Sequence, residues 1–243
     1  MASTFETGHA KNIAQFQTLI EFVKGYGAAY NPSKQSIQLP ALVALKESAE
    51  AALADTLSKK TDYNNKVSER QLAFSDIGTL STKLINALEA SDASSGSISD
   101  AQLYQKKIWG KRATPLQTTI DPNAEVPKTI SVSQTSFDQL IQHLSGIKTV
   151  LEAEPGYAPN ETELQVDTLA TKIADLQAKS AAVTTAYTEI SNSRIARNQT
   201  LYTSENSIYE TAANVKKYIK SVFGADSPQF AQVKGLKIKN NKS

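Results

Sequence analysis

Three arginines stand out among the residues able to do chemistry, because their neighbours' spacing puts them where a cation is costly. Arg194 and Arg197 continue a series spaced by threes and fours, Leu169, Ile173, Leu176, Ser180, Val183, Tyr187, Ile190, that ends at Leu201. Arg70 sits just before Phe74 in a weaker series of the same kind, Leu42, Leu45, Ala49, Leu53, Leu57, Lys60, Tyr63, Val67. A guanidinium on an apolar seam needs a partner, either a carboxylate or helix-end carbonyl that fixes register, or a bound anion. Register is the expected role of Arg70, Arg194 and Arg197, with small-anion binding as the alternative.

The remaining reactive types offer less. The 243-residue chain has no cysteine, which excludes disulfides, thiolate metal ligands and a cysteine nucleophile. His143 has no carboxylate three or four residues away, the spacing of helical metal sites, so no metal is expected there. Glu152, Glu154, Glu161 and Glu163 cluster around a polar turn and read as solvated charges, since acid–base work requires one carboxyl to be desolvated. Neither a Gly-x-Ser-x-Gly elbow nor a glycine-rich phosphate loop is present. The expectation is a non-enzymatic protein without a cofactor.

Lysine and arginine number 26 against 24 acids, so no global field attracts nucleic acid or an anionic membrane. The basic stretches "YQKKIWGKR" and "VKKYIK" are short, and cations at helix ends explain most of their charge. Nucleic acid is therefore not an expected partner, and binding to a membrane surface is an alternative that is not favoured. No window reaches the roughly 20 apolar residues of a membrane span, and the first residues lack a secretory pattern. A cytoplasmic location is expected.

The elements that must hold these residues are helical, and they occur twice. An offset of 127 residues places "YNPSKQSIQLPAL" from Tyr30 on "YAPNETELQVDTL" from Tyr157, and "DAQLYQKKIWGK" on "SPQFAQVKGLK". An offset of 121 places "FQTLIEFVKGY" from Phe16 on "FDQLIQHLSGI" from Phe137, which sets His143 against Phe22. An offset of 131 pairs Ile77 with Ile208, Leu84 with Val215 and Leu88 with Ile219. Insertions at turns are what a duplicated helical unit tolerates. The expected fold is all-α: two tandem antiparallel helical-bundle repeats, 1–112 and 131–243, joined by an extended proline-containing linker, 113–130.

Helix starts are expected near Ser36, with Pro40 in the first turn, and at Asn160 through a capping box with Glu163. "SDASSGSIS" reads as a flexible turn, and the tail around Leu236 and Ile238 as a strand able to pair with the linker. Each repeat ends in a short amphipathic segment, so Leu103, Tyr104, Trp109, Phe230, Leu236 and Ile238 are candidate contact residues. In wording, "SNSRIARNQTLY" and "VKKYIKSVFGADSPQFAQVKGLK" resemble an uncharacterised family of bacterial tandem helical-repeat proteins over about residues 129–239, a resemblance that implies no activity. Without a shared polar constellation in the repeats, the expected function is structural or scaffolding, through a protein partner or self-assembly. A membrane-active helical protein is a further alternative.

Overall fold

The computed structural model describes residues 8–110 and 134–240, and all regular structure in them is helical. The helices are α1 (His9–Gly25), α2 (Leu39–Phe74), α3 (Ile77–Glu89), α4 (Ser95–Ile108), α5 (Phe137–Ala153), α6 (Val166–Asn198), α7 (Ile208–Phe223) and α8 (Pro228–Lys234). Serines start four of them by accepting a hydrogen bond from a free first-turn N–H: Ser94 from Ser97, Ser136 from Gln139, Ser207 from Glu210 and Ser227 from Phe230. Gly224, at φ 94°, ends α7 in a conformation that a side chain would resist.

The chain forms two compact units that cut across the expected repeats. Unit 1 comprises Met1–Tyr63 and Ala186–Ser243, and unit 2 comprises Asn64–Thr185. Since α2 and α6 are each unbroken, their first and last parts belong to different units. The core of unit 1 joins Phe16, Leu19, Ile20 and Leu42 to Leu201, Ile208, Val215 and Ile219. That of unit 2 joins Phe74, Ile77, Leu84 and Leu88 to Leu144, Ile147, Leu169 and Leu176. The expected divisions at 1–112 and 131–243 thus do not coincide with the units, because each core takes half of its apolar side chains from either stretch. The expected linker, 113–130, lies outside the described residues.

The Tyr-x-Pro turns are built alike in both units. Tyr30 Oη donates to the Ile37 carbonyl at 2.7 Å, and Tyr157 Oη to the Leu164 carbonyl at 2.8 Å. Gln38 Nε2 donates to the Pro32 carbonyl, and Gln165 Nε2 to that of Pro159. Each turn contains a short 3-10 segment, Gln35–Ile37 or Thr162–Leu164, before the long helix starts at Leu39 or Val166. Pro40 falls in the first turn of α2 as expected. The capping box at Asn160 is not formed, because the 3-10 segment intervenes and α6 begins at Val166.

Two further expectations are corrected. "SSGSIS" is not a flexible turn: Ser94 caps α4, and the serines enter the helix. The tail at 236–240 is not a strand, and no strand occurs among the described residues. Its backbone is occupied by a side chain instead: the Asn12 amide donates to the Lys239 carbonyl at 2.7 Å and accepts from the Lys239 N–H at 3.0 Å.

The seams on the long helices follow the expected ones at Leu42, Ala49, Leu169, Ile173, Leu176, Val183 and Ile190, and slip by one residue at three places. Leu57, Tyr187 and Arg194 are exposed, whereas Thr56, Ala186 and Ser193 are buried. Within unit 1 the helices meet through small side chains, and Thr56 Oγ1 and Ser193 Oγ lie 2.9 Å apart. Lys59 and Glu189 pair at 2.7 Å on the same antiparallel register. In unit 2, Lys179 pairs with Glu69 at 3.1 Å and Lys172 with Asp76 at 3.0 Å.

Candidate functional site

Arg70 lies near the end of α2, in unit 2, where its guanidinium stacks over the Phe137 ring with Cζ 4.1 Å from the centroid. Phe137 opens α5 and packs edge-on against Phe74 at 4.7 Å, so both aromatic rings are held by the core. Arg70 Nε is buried without a hydrogen-bond partner, and so is Ser180 Oγ on α6. Both residues line one open cleft of 430 Å³, together with Asp138, Ile141, Gln177 and Thr184. A stacked cation keeps its charge while losing part of its hydration, so an oxyanion or carboxylate entering beside it gains a charge-assisted hydrogen bond.

Arg194 and Arg197 belong to unit 1. Arg194 is exposed. Arg197 donates from Nε and Nη2 to the neighbouring Asn198 side-chain oxygen at 3.1 and 2.9 Å. Burial lowers its pKa, and the Arg194 charge adds to this, while Tyr202 opposes it. Among the described residues, none of the three arginines forms a salt bridge with a carboxylate. Of the expected partners, a carboxylate or a helix-end carbonyl, neither is observed among the described residues: Arg197 has the Asn198 amide and Arg70 an aromatic face.

The six candidate contact residues separate into two groups. Phe230, Leu236 and Ile238 pack on the core of unit 1. Lys220 Nζ lies 5.8 Å from the Phe230 ring, and Lys216 Nζ donates to the Leu236 carbonyl. In unit 2, α4 turns Ala101 and Ile108 inward and leaves Leu103 and Trp109 53% and 50% exposed. One edge of Trp109 lies against Gly78, where a Cβ would come within 3.0 Å of the ring. Tyr104 lies over Gly146 on α5, with Lys107 Nζ 5.7 Å from its ring. The burial of the two terminal segments also differs, since the exposed Leu103 aligns with the packed Phe230, and the exposed Lys106 with the fully buried Val233.

Both histidines are held away from the charged form. His9 Nδ1 lies 2.7 Å from Tyr202 Oη, and burial, followed by the Arg197 charge, lowers its pKa. His143 is buried on α5 with neither ring nitrogen hydrogen-bonded. Burial and then the Lys107 charge lower its pKa, against a smaller opposing effect of the Gln134 backbone. Among the described residues, no group of three or more His, Asp or Glu side chains is placed to hold a metal ion, and no helix is long and apolar enough to cross a membrane.

Asn12 and Tyr202 are among the buried polar residues that the sequence reading missed. Asn12 Nδ2 donates to Tyr202 Oη at 3.1 Å, as well as to Lys239. The signal was available, since Asn12 stands on the apolar stripe of α1 with Phe16, Leu19 and Val23, where an amide needs partners. No known protein family, curated protein or solved structure matches this chain.

Proposed function

We propose that this is a non-enzymatic structural or scaffolding protein that acts through protein–protein interaction or self-assembly, with the outer face of α4 as the contact surface. The observation that carries the reading is that Leu103 stays half exposed on α4 opposite the buried Ala101 and Ile108, and that Trp109, directly after the helix, is also half exposed. An exposed tryptophan is of the residue type enriched at contact surfaces. The tail is a poorer candidate than α4, since its apolar groups are already spent on unit 1. Tandem duplication belongs to the same proposal: the matched Tyr-x-Pro turns support it, and the dissimilar terminal segments mark where the copies have diverged.

The test is size exclusion with light scattering over a range of concentrations, on the full chain and on Leu103→Asp. Self-assembly through α4 gives a mass that rises with concentration and falls back to the monomer in the variant. A monomer under all conditions removes self-assembly, and capture of no protein by the wild type beyond what Leu103→Asp captures removes the partner reading too.

A second reading, small-anion binding, is favoured by one observation: the stacked Arg70 and the unpartnered Ser180 Oγ line the same cleft. Titration with phosphate or acetate, followed by the backbone amide resonances of Asp138, Ile141 and Gln177 in the same cleft, tests it. No saturable shift, or one that survives Arg70→Met, removes it.

A further inference from the structure

Residues 236–240 lie on unit 1 in the way a bound peptide lies on a protein. They follow α8 as irregular chain, and among the described residues the backbone of 237–240 forms no hydrogen bond with other backbone. Side chains from distant helices hold it instead. Asn12 of α1 brackets Lys239, donating to its carbonyl at 2.7 Å and accepting from its N–H at 3.0 Å, and Lys216 of α7 donates to the Leu236 carbonyl. Leu236 and Ile238 pack on the core, while Lys237, Lys239 and Asn240 are exposed. Side chains that alternate inward and outward mark an extended segment, and main-chain bonds with seats for alternate side chains are how such segments are recognised.

Stability alone does not account for Asn12. It is buried on the apolar stripe of α1, where an apolar side chain would pack without the cost of desolvating an amide. What the amide adds is the ability to pair with both polar groups of one residue's backbone, whatever side chain that residue carries. The segment can also leave without opening the core: Leu236 and Ile238 are only partly buried, and the fully buried Val233 of α8 stays in place. Elements with few buried contacts are the ones that open locally.

We propose that Asn12, Lys216 and the apolar surface under Leu236 and Ile238 form a peptide-binding seat that the chain's own tail occupies and closes. The partner is an extended segment of another polypeptide, with aliphatic side chains two positions apart followed by a residue read through its backbone. The tail is the occupant that defines this chemistry. A competitor that repeats its contacts restores each of them, so exchange is decided by concentration and by whatever contacts the partner adds. A tethered tail acts at an effective concentration of about 1 mM. A second copy of the chain brings only an identical tail and cannot overcome that advantage at ordinary protein concentrations, whereas a polypeptide making further contacts beside the seat can. The seat lies on unit 1 and the exposed face of α4 on unit 2, so failure of either leaves the other standing.

The experiment is fluorescence anisotropy of a labelled peptide with the sequence of residues 235–240, titrated with the full chain and with a full-length variant, Leu236→Asp with Ile238→Asp, that unseats its own tail. The expected result is saturable binding to the variant and binding at least about tenfold weaker to the wild type, where the tethered tail competes. A peptide of the same composition with its two aliphatic residues adjacent should not bind. Methylating the peptide nitrogen that matches the Lys239 amide should lower the affinity at least about tenfold, since Asn12 loses its donor. Should the variant lose its helical circular dichroism spectrum, the Asn12 side-chain amide resonances of the wild type, followed at peptide concentrations of about 1 mM and above, report the same exchange. The proposal is overturned by no saturable binding to the folded variant, by unmoved Asn12 resonances in the wild type, by equal binding of the rearranged peptide, or by undiminished binding of the methylated one. A wild-type mass that rises with concentration and falls back in the tail variant assigns the seat to a second copy and overturns the separate partner.

Discussion

Asn12→Ala isolates what ties the tail to unit 1. The side chain is buried and makes three hydrogen bonds: two with the Lys239 backbone, at 2.7 and 3.0 Å, and one with Tyr202 Oη at 3.1 Å. At about 1 kcal/mol net for each, the loss comes to about 3 kcal/mol. Lys239 is exposed, so its freed N–H and carbonyl return to water, and Tyr202 keeps His9 as a partner. No large penalty for orphaned groups is added, and the expected destabilisation is about 2–3 kcal/mol, or a Tm lowered by roughly 4–12 °C for a chain of this size. Urea unfolding followed by circular dichroism measures the total. Hydrogen exchange at the Lys239 amide measures the local effect, since its acceptor is the deleted oxygen. Lys239→Ala preserves both backbone bonds and should cost under about 0.5 kcal/mol. A loss below about 0.5 kcal/mol in Asn12→Ala, or unchanged protection of the Lys239 amide, would refute the reasoning.

Three further perturbations test other parts of the packing. At Gly146 a Cβ would stand 2.5 Å from the Tyr104 ring, so Gly146→Ala should lose about 1 kcal/mol after overpacking outweighs its helix-propensity gain, and the loss should vanish in the double variant with Tyr104→Leu. Thr56→Val leaves the Ser193 hydroxyl without its 2.9 Å partner and should cost about 1 kcal/mol by urea unfolding, whereas Thr56→Val with Ser193→Ala should be nearly neutral. The depressed pKa values of His9 and His143 mean that the unfolded chain binds more protons, so stability is full above the unfolded value of about 6.5 and falls with pH below it. His143→Phe removes one of these groups together with two unsatisfied nitrogens. It should raise the urea midpoint at pH 7 and flatten the decline between pH 6.5 and 5, provided the ring fits as the aligned Phe22 fits in α1.

Most helices were legible because an apolar stripe with helical period is a local property. Phe16, Leu19, Ile20 and Val23 define α1, and Phe137, Ile141, Leu144 and Ile147 define α5, without reference to any partner. Three positions on the long helices were misread for a physical reason, while Val183 and Ile190 beside them are buried as expected. Close approach there selects Ala186, Ser193 and Thr56, and a pattern search follows the larger Tyr187, Arg194 and Leu57 instead. Serine-rich wording misled at α4, where Ser94 acts as a cap. Of the candidate residues, Arg70 was placed on the correct helix, but stacking on Phe137 depends on a contact between residues 67 positions apart, which spacing along one helix cannot express.

The division of each core between the two halves of the chain has a consequence for fragments. A chain ending after Gly110 carries α1 with its buried Phe16, Leu19 and Ile20, but not the Val215 and Ile219 of α7 that cover them. It also carries Leu84, Ile85 and Leu88 of α3 without Leu144, Ile147 and Leu151 of α5. Each of these six side chains, left uncovered, forgoes up to about 1.5–3 kcal/mol of burial, in sum comparable to a domain's whole net stability of about 5–15 kcal/mol. The fragment alone should therefore be unfolded as a monomer. Its two halves are nevertheless complementary in pattern, since α3 carries the same buried register as α7, and α1 the same as α5. Two fragments can then cover one another, and folding should appear only with association, as helicity that rises with concentration alongside the mass from light scattering. Mixing with a fragment starting at Gln134 should restore helicity at lower concentration, because the native packing of α1 on α7 and of α3 on α5 becomes available. A monomeric 1–110 fragment with a cooperative unfolding transition would show that either half can close a core unaided, and that the reciprocal packing adds stability without being required for folding.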